Sequence, residues 1–291
     1  MRYTTFAQQP KLRHPILITA FEGWNDAGEA ATAALGYIAT SLDAETIGEL
    51  DPEEFYDFQQ TRPHVRLTGG RSRQVDWPAV QIQAIELPGG ERDLVLVHGH
   101  EPNLRWRSFA TEVLAIARAL GAEMLVTLGA LLADVPHTRP VQVVGATADP
   151  ALAKQLGLAA SKYEGPTGMI GVLGEAARKA SLPTISLWAA LPHYVQASPN
   201  PQAALALVRK VRELLPMPLG VDSLQQAATA FQSTVAELIS EDPELVGYVE
   251  RLEAEADRET DEESSLAEVP PEQLVEEVER FLRDQPGGSR S

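Results

Sequence analysis

The sequence contains no cysteine. Disulfides, thiolate metal sites and thiol nucleophiles are therefore excluded, and the chain suits a reducing, cytoplasmic setting. No apolar run approaches the roughly 20 residues that a membrane-spanning helix requires, so no membrane partner is expected. The opening decapeptide is polar and lacks the basic–apolar–small pattern of a secretory leader. Positive charge is also scarce: 24 Lys and Arg stand against 41 Asp and Glu, a net charge of −17. Phosphate backbones need a concentrated positive surface, so no nucleic-acid partner is expected. Familiar catalytic signatures are missing as well. There is no phosphate-binding P-loop, no Gly-x-Gly-x-x-Gly after a strand, no Gly-x-Ser-x-Gly elbow and no helical His-x-x-x-His.

What is present begins with Pro15 to Gly28, PILITAFEGWNDAG. Ile16, Leu17 and Ile18 form a short apolar run of the kind that fills a strand covered on both faces. Gly23 and Gly28 bracket Trp24, Asn25 and Asp26, and an Ala-rich helix is expected from about residue 27 to 41. Asn25 or Asp26 can cap that helix by accepting backbone N–H groups. Such a strand–loop–helix puts its loop at the carboxyl edge of a sheet, where α/β proteins keep their sites.

The pattern continues. Strands are expected at 44–50, 64–67, 71–76, 80–87, 93–97, 124–128, 141–146 and 183–191, with Gly69-Gly70 as a hairpin turn. Helices are expected at about 105–120, 149–156, 171–180 and 198–215. Alternating strands and helices, with several strands apolar throughout, define an α/β fold: a mixed, mostly parallel sheet with helices on both faces. Residues 1–14 read as an N-terminal arm and 15–216 as the α/β domain.

After Pro216-Met217-Pro218 the pattern becomes purely helical. Leu224, Ala228, Phe231, Val235, Leu238, Asp242, Leu245, Val249, Leu252 and Ala256 follow alternating steps of four and three, a heptad seam. Asp242-Pro243 breaks it, which suggests a hairpin within 217–258. The seam packs either internally or against another subunit. Residues 259–269 read as an acidic linker, and 270–291 as a C-terminal amphipathic helix and tail. From Glu241 onward 17 acidic residues face 5 basic ones, a balance of −12. The acidity therefore belongs to this extension, which reads as a solvated face.

Polar groups cluster at strand ends: Trp24 and Asp26; His98, His100, Glu101, Asn103 and Arg105; His137 and Arg139; Glu164; His193. Convergence of these loops on one crevice would suit an anionic or nucleoside-like ligand, since Arg pairs with anions and His titrates near neutrality. The competing use of the same residues is structural hydrogen bonding of loops. His98 and His100 could face one way in extended backbone, with Glu101, His137 or His193 as a third metal ligand, but no zinc spacing is present. No metal, no cofactor and no catalytic residue is assigned, and the balance leans away from an enzyme.

A series of segments, GWNDAG at 23–28, EEFYDF with RP at 53–63, HGHEPNLRWR at 98–107, LGALLADVPHTRP at 128–140, YEGPTG at 163–168 and SLWAALPHYV at 186–195, closely resembles the proteasome assembly chaperone family of the second type, in its actinobacterial branch. The resemblance spans about residues 15–215. It implies a fold related to nucleoside phosphorylases, assembly into homo-oligomers, and an assembly or interaction role on proteasome α subunits. Some archaeal relatives end in a hydrophobic residue, Tyr and one further residue, a signal that docks in proteasome pockets. This chain ends Gly288-Ser289-Arg290-Ser291, so docking through such a signal is not expected.

Overall fold

A computed structural model describes residues 1–68, 72–156, 158 and 163–267. The chain divides into two compact units, Met1–Leu238 and Ile239–Ser291.

The first unit is built on ten strands, β1 (Thr4–Phe6), β2 (Ile16–Glu22), β3 (Glu45–Leu50), β4 (His64–Thr68), β5 (Ser72–Asp76), β6 (Val80–Ile85), β7 (Leu94–His100), β8 (Met124–Ala133), β9 (Val143–Ala146) and β10 (Thr184–Pro192). Its helices are α1 (Ala30–Ser41), α2 (Trp106–Ala119), α3 (Pro150–Leu156), α4 (Met169–Lys179), α5 (Pro201–Leu214) and α6 (Asp222–Ser240), the last of which runs to the unit boundary. Eight strands form one sheet in the order β1-β3-β6-β7-β2-β8-β10-β9, and β4 and β5 form a separate two-stranded sheet.

The expected α/β mixed sheet is present, with a smaller parallel share than the apolar runs suggest. Parallel pairing is confined to the centre, β7 with β2, β2 with β8 and β8 with β10. The flanking pairs β1–β3, β3–β6, β6–β7 and β9–β10 are antiparallel. The central strands are buried on both faces whatever their direction, so their continuous apolar runs report burial and not polarity of pairing.

The period-2 alternation of β2 shows how one strand feeds two cores. Ile16, Ile18 and Ala20 pack with α1 and α5, while Leu17 and Phe21 pack with α2 and α4. The buried Thr19 between them donates its hydroxyl to the Val97 carbonyl at 2.7 Å, as a buried hydroxyl must find an acceptor. On the second face Tyr3, Phe55, Phe109 and Phe21 make successive edge-to-face contacts at 5.1, 5.4 and 5.4 Å.

The N-terminal arm, residues 1–14, is tied down along its length. Thr4–Phe6 is an edge strand on β3, and Glu112 Oε1 on α2 accepts from the Arg2 N–H at 2.6 Å, the Tyr3 N–H at 2.8 Å and the Thr4 hydroxyl at 2.9 Å. Farther along, Arg13 is clamped by the buried Asp93 carboxylate, which also accepts from the Leu87 N–H at 2.9 Å. In the acidic, aromatic stretch 51–63, Phe55 and Tyr56 are core residues.

The first unit extends past Pro216 because the start of α6 is tied to it. The Tyr37 hydroxyl on α1 donates to the Gly220 carbonyl at 3.0 Å and lies 3.0 Å from Ser223 Oγ. In the second unit α7 spans Pro243–Ala267. Asp242 starts it, its Oδ1 accepting from the Glu244 N–H at 2.9 Å, with Pro243 at the first helical position. The helix continues through residues 259–267, where an acidic linker was expected. The expected C-terminal helix and tail at 270–291 lie outside the described residues. Among the described residues no helix is long and apolar enough to cross a membrane.

Candidate functional site

The loop after β2 is held by its own polar groups. Gly23 has φ +134°, a region closed to side chains with a Cβ. Asp26 is buried and caps α1: its Oδ1 accepts from the Ala31 N–H at 2.7 Å, and its Oδ2 accepts the Thr32 hydroxyl. Burial, aided by the nearby Glu22 charge, raises the Asp26 pKa against the lowering effect of those hydrogen bonds. Asn25 is also buried, and its amide donates to Glu101 Oε1 at 2.7 Å.

Glu101 is the joint between loops. The same Oε1 accepts from the Met169 N–H, the first residue of α4, at 2.6 Å, so a carboxylate sits at a helix N-terminus where the dipole favours it. Gly168 lies against the Asn25 amide: a Cβ there would fall 2.0 Å from Asn25 Nδ2. The YEGPTG segment thus supplies a glycine that lets the third loop close on the first.

At the ends of the adjacent strands β2 and β7, Glu22 and His100 are register partners. Glu22 Oε2 lies 2.8 Å from His100 Nδ1. This hydrogen-bonded pairing lowers the Glu22 pKa and raises that of His100, in each case against desolvation. The His100 carbonyl accepts the Tyr56 hydroxyl at 2.7 Å, and burial raises the Tyr56 pKa. Asn103 Oδ1 accepts from the Asp57 N–H at 2.9 Å and the Thr61 hydroxyl at 3.1 Å, folding residues 57–61 over the site.

Together these groups wall a cleft of about 730 Å³ at the carboxyl edge of β2 and β7. Asp26, His100, Glu101 and Asn103 are brought together in it, joined by Glu22 and by Asp57, Gln60 and Thr61. The lining includes five carboxylates (Glu22, Asp26, Glu29, Asp57 and Glu101) and neither Lys nor Arg. That charge favours a cationic or neutral occupant and opposes the anionic ligand suggested by the sequence.

The other expected residues are elsewhere. Trp24 is 63% exposed beside the cleft and does not line it. His98 faces β6, with Nε2 at 3.0 Å from Gln83 Oε1, and burial lowers its pKa. Arg105 pairs with Glu54. His137 and His193 belong to a separate group around Tyr194, with the His137 N–H donating to the Tyr194 hydroxyl at 2.8 Å and His193 Nδ1 at 3.1 Å from Asp134. Arg139 and Glu164 are not in the cleft wall. Among the described residues no group of three or more His, Asp or Glu could hold a metal ion. Glu22 and Asp57 went unrecognised as site residues. Glu22 ends an apolar strand, and Asp57 lies in a stretch without periodicity.

The class defined so far is an α/β protein with a doubly covered mixed sheet and an acidic cleft at its strand ends. The chain belongs to the PAC2 family, whose model matches residues 20–239. A PAC2 family protein of Streptomyces avermitilis is 48% identical over 81% of this chain and 99% of that one, with TM-score 0.76. A proteasome-assembly chaperone homologue of Mycobacterium tuberculosis is 46% identical over 80% of this chain and 99% of that one, with TM-score 0.74. An archaeal proteasome activator of Pyrococcus furiosus, 17% identical over 82% of this chain and 99% of that one with TM-score 0.65, is alike in fold alone. Among curated proteins no match is found.

Proposed function

We propose that this chain is a non-enzymatic, chaperone-like scaffold of the cytoplasm that associates with itself and acts on proteasome α subunits. The observation that carries this reading is the 46% identity to the M. tuberculosis proteasome-assembly chaperone homologue across nearly all of that protein. The strand-end cleft is consistent with it. Asp26 and Glu101 serve loop and helix backbones, so both carboxylates have a role in the fold.

The test is native mass spectrometry of the purified protein, alone and mixed with unassembled proteasome α subunits from the same source. A mixed complex of fixed stoichiometry is the expected result. A homo-oligomer that ignores the subunits would remove the proteasome role while leaving the scaffold. Thermal shift against phosphate, nucleosides and divalent metals checks the small-molecule alternative. A ligand at 100 times its dissociation constant stabilises by about 2.7 kcal/mol, so a bound one is seen directly.

A further inference from the structure

The β4–β5 hairpin has no counterpart in the packing logic of the rest of the unit. Among the described residues it pairs only with itself, Val65 opposite Val75 and Leu67 opposite Arg73. Opposed residues share a face, and Trp77 falls on that face two residues beyond Val75. The result is an apolar face in the open: Val65 is 61% exposed, Leu67 63%, Val75 45% and Trp77 53%. A two-stranded ribbon of this kind is marginal alone in water, and scattered single apolar residues are ordinary where a contiguous exposed face is not.

Its charge is opposite to that of the chain. Arg62 and Arg73 are exposed and form no ion pair among the described residues, while Arg66 is neutralised by Asp76 at 3.0 Å. The cleft described above is the complement. It lacks Lys and Arg, presents Glu22, Glu29, Asp57 and Glu101, and carries the half-exposed Leu104 on its lining. Hairpin and cleft are rooted side by side, because Phe58, next to the cleft residue Asp57, packs on Trp77 with ring centroids 4.9 Å apart.

We infer that the β4–β5 hairpin of one copy docks in the acidic cleft of a second copy of this chain. Strands of five residues reach about 17 Å from their root, far enough to enter a neighbouring cleft. Because each copy offers both surfaces, a twofold pairing makes the contact twice and closes the assembly. Hairpin against hairpin would instead set unpaired Arg against unpaired Arg. The inference rests on the self-association proposed above and adds the surfaces that make it.

The test is sedimentation velocity on the full chain at about 50 µM, a concentration that populates complexes of micromolar affinity. Two exposed charge-reversal sets are compared, Arg62→Glu with Arg73→Glu, and Glu22→Lys with Glu29→Lys. Expected are an associating wild type, a rise of at least about tenfold in the dissociation constant for each variant alone, and recovery in their 1:1 mixture, where opposite charges again meet. A Val65→Ser, Val75→Ser variant should dissociate in the same way, and it decides the matter if a charge variant fails to fold by circular dichroism. A monomeric wild type, variants that associate like wild type, or a mixture that does not recover overturns the inference. Variants of wild-type mass that still bind proteasome α subunits would refute the surface and leave the chaperone reading standing. A monomeric wild type that also ignores those subunits would refute both.

Discussion

Glu101→Ala should destabilise the first unit far more than a change at the edge of an open cleft suggests. In the folded protein one carboxylate oxygen accepts both the Asn25 amide at 2.7 Å and the Met169 N–H at 2.6 Å. Both donors belong to buried residues, Asn25 at 1% and Met169 at 0% exposure. A buried donor left without an acceptor costs about 1–3 kcal/mol, and the lost carboxylate at the α4 N-terminus adds about 0.3–1 kcal/mol. Solvent from the cleft offsets part of this, so a net loss of about 2–4 kcal/mol follows. For a unit of this size each kcal/mol lowers Tm by about 2–4 °C, which places the expected drop at about 4–16 °C. Thermal unfolding followed by circular dichroism at pH 7 reads it. Glu101→Gln keeps a carbonyl acceptor without the charge and should lose about half as much. A Glu101→Ala protein melting within about 2 °C of wild type would refute the view that this side chain ties the first and third loops together.

Two further predictions concern pH. Burial raises the Asp93 pKa, but hydrogen bonds from Arg13 and from the Leu87 N–H outweigh it and hold the carboxyl below its ordinary value. Its contribution is therefore present above the unfolded value of about 3.9 and lost as pH falls through the lower folded value; melting curves of wild type and Asp93→Asn between pH 7 and 3 should converge in acid, and parallel curves would refute the assignment. His100 has the opposite sign. Its pKa is raised by the hydrogen bond to Glu22, so its contribution is complete below the unfolded value of about 6.5 and lost as pH rises through the folded one. An NMR titration should find His100 above that value and His98, depressed by burial, below it; the reverse order would refute the pairing of Glu22 with His100.

How much of this was legible in the sequence depended on the range of the interaction. Features set by neighbours were readable. The β2 run, the Gly23 turn, the Asp26 cap on α1 and the Asn200-Pro201 start of α5, where Asn200 Oδ1 accepts from the Ala203 N–H at 3.0 Å, all follow from residues within a few positions of one another. Features set by distant partners were not. Nothing near Glu101 announces that its oxygen will meet an N–H 68 residues away. Nothing near Glu112 announces that it will bind Arg2, Tyr3 and Thr4. His98 and His100 were paired by their spacing, yet β7 lies between two different strands, so one histidine meets Gln83 on β6 and the other Glu22 on β2.

The same distinction explains why the expected crevice has the wrong charge. The sequence places two arginines, Arg105 and Arg139, close to the strand-end loops, and a count of nearby residues gives an anion site. Arg105 is drawn away by Glu54 from the segment before the hairpin, and Arg139 lies outside the cleft wall. Their removal leaves the carboxylates to set the potential, one of them partly balanced by His100. Meanwhile Arg73 on β5, and Arg62 between the cleft residue Thr61 and the start of β4, form no ion pair among the described residues. Charge in this unit is thus only partly neutralised within each of two neighbouring surfaces, by Asp76 on the hairpin and by His100 in the cleft. In the proposed pairing of two copies, the acidic cleft of one meets the basic and apolar hairpin of the other. Reversing Arg62 and Arg73 alone should therefore leave the monomer's melting temperature within about 2 °C of wild type while raising the dissociation constant of self-association at least about tenfold; a large loss of monomer stability would mean that the arginines serve the fold itself.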